Sequence, residues 1–240
     1  MRIGIMQPYF FPYLGHFSLI AACDRWYVFD ITQYTPKGWM NRNRVRHPEG
    51  GPNWISVPLR HSSISIRTCD AQVQDVAAAE RMVLGKLSHY RRHAPFARAV
   101  ESLVREAFAL PEGDSSLTHL DVRGLTTVCS YLGLPFTPQI CSELALDLPA
   151  DLGPGDWAPE IASRVGADAY LNPASGRALF EPAAFQARGV RLEFLQPQPW
   201  AYAAGPFEPA SDLSILDVLM WNEPAVVRQA LQERAAISSV

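Results

Sequence analysis

The chain opens with two short apolar runs, each giving way at once to a polar, aromatic and proline-rich loop, and this arrangement narrows the fold more than any other feature. Residues 2–6, Arg-Ile-Gly-Ile-Met, lead into Gln7-Pro8-Tyr9-Phe10-Phe11-Pro12-Tyr13-Leu14-Gly15-His16. After the helix-like stretch Phe17-Ser18-Leu19-Ile20-Ala21-Ala22, a second run from Trp26 to Phe29 ends at Asp30 and is followed by Gln33 and Asn41-Arg42-Asn43-Arg44. Nearly continuous apolar strands are those covered on both faces. Strands that end in such loops build the ligand crevice of an open α/β sheet. Pro8 and Pro12 hold the residues before them extended, and Gly15 lets backbone or ligand come close where a helix begins. A helix N-terminus at that point would suit an anion. A strand starting this early leaves no room for a signal peptide, so a cytoplasmic protein is expected.

The remaining pattern predicts an α/β protein with a mostly parallel, Rossmann-like sheet and a helical insertion over about 76–133, all within one domain of 240 residues. Further strands are expected near 54–59, 139–142, 169–171 and 190–195, with helices near 157–165, 182–187 and from 214. Within the insertion Pro95 breaks the helical period, and Ser116 is a candidate cap for a helix running to Tyr131. Pro149 to Pro159, rich in Pro, Gly and Asp, reads as the most mobile loop.

Composition removes several functions. A net charge of −3 gives no broad basic surface for DNA or other nucleic acid. No apolar run approaches the roughly eighteen residues of a membrane span. Cys23, Cys69, Cys129 and Cys141 form no Cys-x-x-Cys pair, so no metal site or disulfide framework is expected, and no cofactor is named by any motif. His89 and His93 have metal-ligand spacing, but with Arg91 and Arg92 between them a solvated basic face is the simpler reading, and an acidic carrier protein or a phosphate is another.

Two resemblances bear on function. Tyr13-Leu14-Gly15-His16 resembles half of the His-x-Gly-His signature of nucleotidyltransferases, with Tyr13 where the first histidine would stand. More extensively, Gln7 to Gly15, Phe29-Asp30 with Gln33, Gly38-Trp39 through Arg44, Trp54 with Val57-Pro58, Tyr90 with Ala94-Pro95-Phe96, Ser142-Glu143-Leu144 and Leu213 to Asp217 resemble the WbqC-like protein family. That resemblance implies a place in bacterial O-antigen or other polysaccharide biosynthesis and an aminoacyl, in particular glycyl, transferase role. Two positions depart from the family pattern: His16 replaces a frequent tyrosine, and Ile31 stands where a second aspartate often follows Asp30.

The candidate catalytic residues are Asp30, as a carboxylate base at a strand end, with His16 and Glu143. Candidate substrate-binding residues are Gln7, Tyr9, Tyr13, Gln33, Asn41, Arg42, Asn43, Asn172, Ser175 and Gly176. The amides of Gln7 and Gln33 suit a carbonyl or sugar hydroxyl, although either could instead tie its loop to itself. An arginine of the Arg42/Arg44 pair could grip phosphate or carboxylate, or Arg42 could form an ion pair with Glu143 or Asp217. Asn172 to Arg177 is a strand running into a small glycine-containing loop that could present N–H groups to an anion. Asp217, in the first turn of a capped helix, complements its dipole. The sequence thus points to an acyl or aminoacyl transferase acting on an amine of a sugar or small metabolite, with a carrier protein or aminoacyl-tRNA as donor. A nucleotide-binding enzyme and a non-catalytic partner of a biosynthetic complex are the alternatives. Gln7, Asp30 and Asn172 are expected at one edge of the sheet.

Overall fold

The computed structural model describes residues 1–240 apart from Pro209 and Ser211. The first strand, β1 (Arg2–Met6), is followed by α1 (Leu14–Ala21) and β2 (Arg25–Val28). A hairpin, β3 (Arg42–Arg46) with β4 (Pro52–Ser56), leads to the helices α2 (Val76–Leu87), α3 (Ala97–Phe108) and α4 (Leu117–Leu132). Then come β5 (Pro138–Ile140), α5 (Trp157–Arg164), β6 (Ala169–Pro173), α6 (Pro182–Gln186) and β7 (Arg191–Pro197). The chain closes with α7 (Ile215–Trp221), α8 (Pro224–Glu233) and β8 (Ala235–Ser239).

Six strands form the main sheet in the order β5-β2-β1-β6-β7-β8, all parallel except β8, which runs antiparallel to β7. Strands at residues 2–6 and 169–173 are therefore neighbours, as the sequence predicts. The order reverses between β1 and β6, since one half of the sheet continues to β2 and the other to β7. Such a switch point opens a crevice at the carboxyl ends of the strands. Alternation fixes the two faces of β1. Ile3 and Ile5 join Tyr27, Tyr170, Leu192, Phe194, Ile161 and Phe185 in one apolar layer. Trp26, Val28, Leu171 and Leu195 turn to the larger core built with α1, α3, α4, α7 and α8. Gly4 faces that second layer, and a Cβ there would lie 2.5 Å from the Trp26 ring.

The strand expected near 54–59 lies at Pro52–Ser56 and belongs to a separate two-stranded sheet. Its partner β3 is the Asn/Arg-rich segment, one face of which, Asn43 and Val45, is buried, with Ile55 buried opposite on β4. The insertion is helical as expected, interrupted by a short 3-10 turn at Ser88–Arg92. Ser116 caps α4 by accepting from the His119 N–H at 3.3 Å. The closing helix is split by Asn222-Glu223-Pro224, because proline lacks the N–H that a continuing helix requires. All four cysteines are free, and burial pushes the Cys23 and Cys141 thiols up to about 12.

His119 bridges two carboxylates, Asp114 at 2.7 Å and Glu143 at 3.1 Å. Partial burial works against its charge, and the two hydrogen-bonded acids outweigh that effect, so its pKa is raised. A raised folded-state value means the imidazolium stabilises fully below the unfolded pKa of about 6.5 and loses that contribution as pH rises through the folded value. His119→Gln is therefore expected to lower the melting temperature more at about pH 5.5 than at about pH 9. Equal shifts at both pH values would remove the charge from the account.

Candidate functional site

A cavity of about 830 Å³ opens at the switch point. Gln7 and Tyr9 from the end of β1, Asn172, Ser175 and Gly176 from the end of β6, and Gln33 from the loop after β2 all line it. Its outer wall is apolar, built from Phe29, Leu152, Pro154, Trp157, Leu179 and Phe180. No side chain lining it is charged at neutral pH: Tyr9, the more exposed of its two tyrosines, is held protonated by burial and then by its neighbour Tyr13. Gln7 has no hydrogen-bond partner for its amide among the described residues, whereas Asn172 accepts from the Tyr170 hydroxyl at 2.8 Å and donates to the Pro173 carbonyl at 3.0 Å. Gly176 is required for that packing, since a Cβ would sit 2.3 Å from the Asn172 Nδ2. Gln33 lines the cavity while its amide donates to the Ile64 carbonyl.

A second cavity of about 870 Å³ lies beyond Pro173 and Ser175, which line both. It is bounded by Tyr13, Leu14 and Gly15 at the start of α1 and by the segment after β7 with Gln196, Gln198, Trp200 and Tyr202. A smaller one of about 290 Å³ is lined by Tyr9, Pro12, Tyr13, Trp39, Asn43, Arg44 and Asp212. Tyr9 is common to this cavity and the 830 Å³ cavity, and Tyr13 to it and the 870 Å³ cavity.

The loop that makes these walls is held from several sides. Asn43 donates to the Phe10 and Phe11 carbonyls at 3.1 and 2.9 Å, and the Ser214 hydroxyl donates to the Phe11 carbonyl at 2.7 Å. The Phe10 N–H donates to the Trp39 carbonyl and the Ile215 N–H to the Pro12 carbonyl, both at 2.9 Å. Phe11 itself sits at φ 40°, a conformation that a bulky residue keeps only where its surroundings over-determine it. Asn43 is thus a staple of the site's backbone. Asn41 is another, accepting from the Tyr34 hydroxyl at 3.0 Å and donating to the Val57 carbonyl at 2.9 Å.

Other candidates lie elsewhere. Asp30 is at the same sheet edge but fully buried, and its carboxylate accepts from the Ser142 N–H at 3.0 Å and the Ser142 hydroxyl at 2.6 Å. Its neighbours Phe29 and Ile31 line the cavity, whereas Asp30, bonded to Ser142, does not. Burial raises the Asp30 pKa against the lowering pull of Ser142. His16 is 2% exposed and lines none of these cavities, its ring packed 5.1 Å from Trp26 and 5.6 Å from Tyr9. Burial lowers its pKa to about 3, leaving a neutral imidazole whose Nε2 has no partner among the described residues. Glu143 is exposed and bonded to His119. Arg42 lies 4.3 Å over the Trp54 ring and donates to the Gly38 and Lys37 carbonyls, so it pairs with neither Glu143 nor Asp217. The partner of Asp217 is Arg46.

Sequence reasoning missed the apolar wall from α5, the Gln196-to-Tyr202 segment, and the grouping of Trp39 and Asp212 with Arg44. Gln196-Pro197-Gln198-Pro199-Trp200 repeats the pattern of Gln7-Pro8-Tyr9, a strand running into a Gln/Pro/aromatic loop, and could have been found by that signal. Among the described residues no group of three or more His, Cys, Asp or Glu could hold a metal ion, and no helix is long and apolar enough to cross a membrane.

The open, mostly parallel α/β sheet, whose order reverses between β1 and β6 beside these cavities, is Rossmann-like in architecture. The chain belongs to the WbqC-like protein family, which it matches over residues 7–229. It is 30% identical over 232 residues to a protein of Mycobacterium tuberculosis named Uncharacterized protein Rv1507c, the alignment covering 91% of this chain and 92% of that one. No solved structure matches it.

Proposed function

We propose that the protein is an acyl or aminoacyl transferase, glycyl transfer included, that acts on an amine of a sugar or small metabolite in bacterial polysaccharide (O-antigen) or specialised-metabolite biosynthesis in the cytoplasm. The observation that carries this reading is the 830 Å³ cavity, in which amide and hydroxyl groups face an aromatic wall and no lining side chain is charged. Such a lining suits a hydroxyl-rich, uncharged group bound face-on to rings and edge-on to amides. A bound amine would meet no carboxylate there, and desolvation disfavours its ammonium form, so the nucleophile arises without a base beside it.

In the transfer step the amine nitrogen attacks the carbonyl carbon of a thioester or aminoacyl ester. A C–N bond forms, the bond to sulfur or oxygen breaks with its electron pair on the leaving group, and the proton lost by the nitrogen goes to that leaving thiolate or alkoxide. The donor to the oxyanion in this reading is the unpartnered amide of Gln7, which lines the cavity. The nucleotide alternative draws no support from His16, whose buried, neutral ring lines none of these cavities. The test is mass spectrometry of sugar-amine and small-amine acceptors incubated with carrier-thioester, coenzyme A and aminoacyl-tRNA donors. An acceptor heavier by the acyl group supports the reading; hydrolysis of a nucleoside triphosphate with transfer of its nucleotidyl group would replace it.

A further inference from the structure

We infer that the 290 Å³ cavity between Tyr9, Tyr13, Trp39, Arg44 and Asp212 is a binding site for a small zwitterion of the α-amino acid class, its carboxylate toward Arg44 and its ammonium toward Asp212. Arg44 and Asp212 are the two charged residues of the lining, and neither forms an ion pair among the described residues. The Arg44 guanidinium makes one hydrogen bond there, from Nη2 to the backbone carbonyl of Asp212 at 3.3 Å, and its Nε is buried without a partner. Leaving a buried donor of a charged group unpaired is costly, and a carboxylate is the acceptor whose geometry matches the guanidinium fork.

A lone anion in this space would answer Arg44 and face the Asp212 carboxylate, and a lone cation would do the reverse. A ligand carrying both charges a few ångströms apart answers both, and α-amino acids are the common small molecules of that form. The walls agree. Tyr9, Tyr13 and Trp39 give the cavity aromatic walls, and an aromatic ring attracts an ammonium that meets its face. Both tyrosines are kept in the neutral, donating form by burial first, and then by Tyr13 acting on Tyr9 and Asp212 acting on Tyr13. The volume admits a small side chain as well as the charged head.

The lining is also preset. Pro12 belongs to the stapled loop and Asn43 is its staple, and Asp212 is held at φ 57°, in the left-handed region, directly before the Leu213-Ser214 turn that clamps Phe11. The Arg44 guanidinium lies 5.2 Å from the Trp39 ring centroid, an arrangement that stabilises the hairpin by itself. That stacking accounts for neither the Asp212 carboxylate across the cavity nor the unmade Nε bond.

This inference goes beyond the transfer reading and does not depend on it, because binding is measured with no acyl donor present. The full chain is titrated with glycine, L-alanine, L-serine and L-glutamine by calorimetry and by tryptophan fluorescence, with acetate and ethylamine as single-charge controls. At least one amino acid is expected to bind, each control binding about 10- to 100-fold more weakly. Asp212→Asn and Arg44→Gln are each expected to weaken binding by a similar factor, and Trp39→Phe to remove the fluorescence change. Asp212 is exposed, so its variant keeps the test valid if Arg44→Gln fails to fold. Binding of acetate or ethylamine as tight as that of the amino acid, binding unchanged in Asp212→Asn, or no binding at all would overturn the inference.

Discussion

Asp217→Ala is expected to lower the melting temperature by roughly 6 to 20 °C, the shift that a loss of about 3–5 kcal/mol gives in a chain of this size. Asp217 is fully buried and accepts from Arg46 Nη2 at 3.5 Å, from the Tyr202 hydroxyl at 2.9 Å and from the Tyr90 hydroxyl. Tyr90 in turn accepts from the Arg46 N–H at 2.8 Å. Arg46 is itself buried, with its Nη1 on the Glu208 carbonyl at 2.5 Å and its Nε without a partner among the described residues. Removing the carboxylate strands that guanidinium and the Tyr90 hydroxyl in a low-dielectric interior, while Tyr202 keeps its bond to the Ala210 carbonyl. The cost comes from the uncompensated partner rather than from the pair itself, so replacing Arg46 and Asp217 together by Met and Leu should lose less than Asp217→Ala alone. Thermal denaturation of the three proteins reads this directly. A single-variant shift below about 2 °C would mean that the network is not a structural element of the fold.

The same residue marks a limit of what the sequence can disclose. Asp217 in a first turn after Ser214 looks like a dipole-complementing acid, and Ser214 does accept from the Leu216 N–H at 3.3 Å. Which arginine pairs with it depends on what covers β3 along its length: Arg42 and Arg44 lie beside the exposed Trp54, while Arg46, on the same face at the far end, is buried against Asp217, the Glu208 carbonyl and the Phe207 ring. Three arginines at alternate positions are equivalent as letters and share one face; only the tertiary packing over each separates them. The parallel strands β1, β2 and β6 were legible because each is an apolar run ending in a polar loop, whereas the full strand order and its reversal between β1 and β6 come from the tertiary pairing. β8 was not, since Ala-Ala-Ile-Ser-Ser has no strong strand signal and gains its conformation by pairing with β7. Gln7 and Asn172, singled out because each follows an apolar run in the sequence, both line the 830 Å³ cavity. The direction of Asp30 was not legible, since it lies past the end of β2 and is set by its bonds to the distant Ser142, and a carboxylate after a strand suggested chemistry before it suggested a cap on the Ser142 turn.

Gln7 and Asp30 therefore carry opposite expectations, and comparing them tests the site most sharply. Both follow adjacent parallel strands, β1 and β2, at one edge of the sheet. Gln7 presents an unpartnered amide to the charge-free cavity, whereas Asp30 gives its carboxylate to Ser142. Under the proposed transfer reaction Gln7→Ala removes the donor assigned to the developing oxyanion and disturbs no internal hydrogen bond of that side chain, so turnover should fall by about 10²–10³ while the melting temperature stays within a degree or two. Asp30→Asn replaces an acceptor of two bonds by a group with an N–H facing one of those donors, which should lower stability by about 1.5–3 kcal/mol. The turnover of its folded fraction should remain near that of the unaltered protein, because its side chain does not face the cavity. Rates normalised to folded protein, measured with the donor that the transfer assay identifies, separate the two effects. A loss of turnover of roughly 10²-fold or more in Asp30→Asn with unchanged stability would return that carboxylate to the role of base. It would also require the Ser142 turn to open during the reaction, since only that movement would bring Asp30 to the cavity.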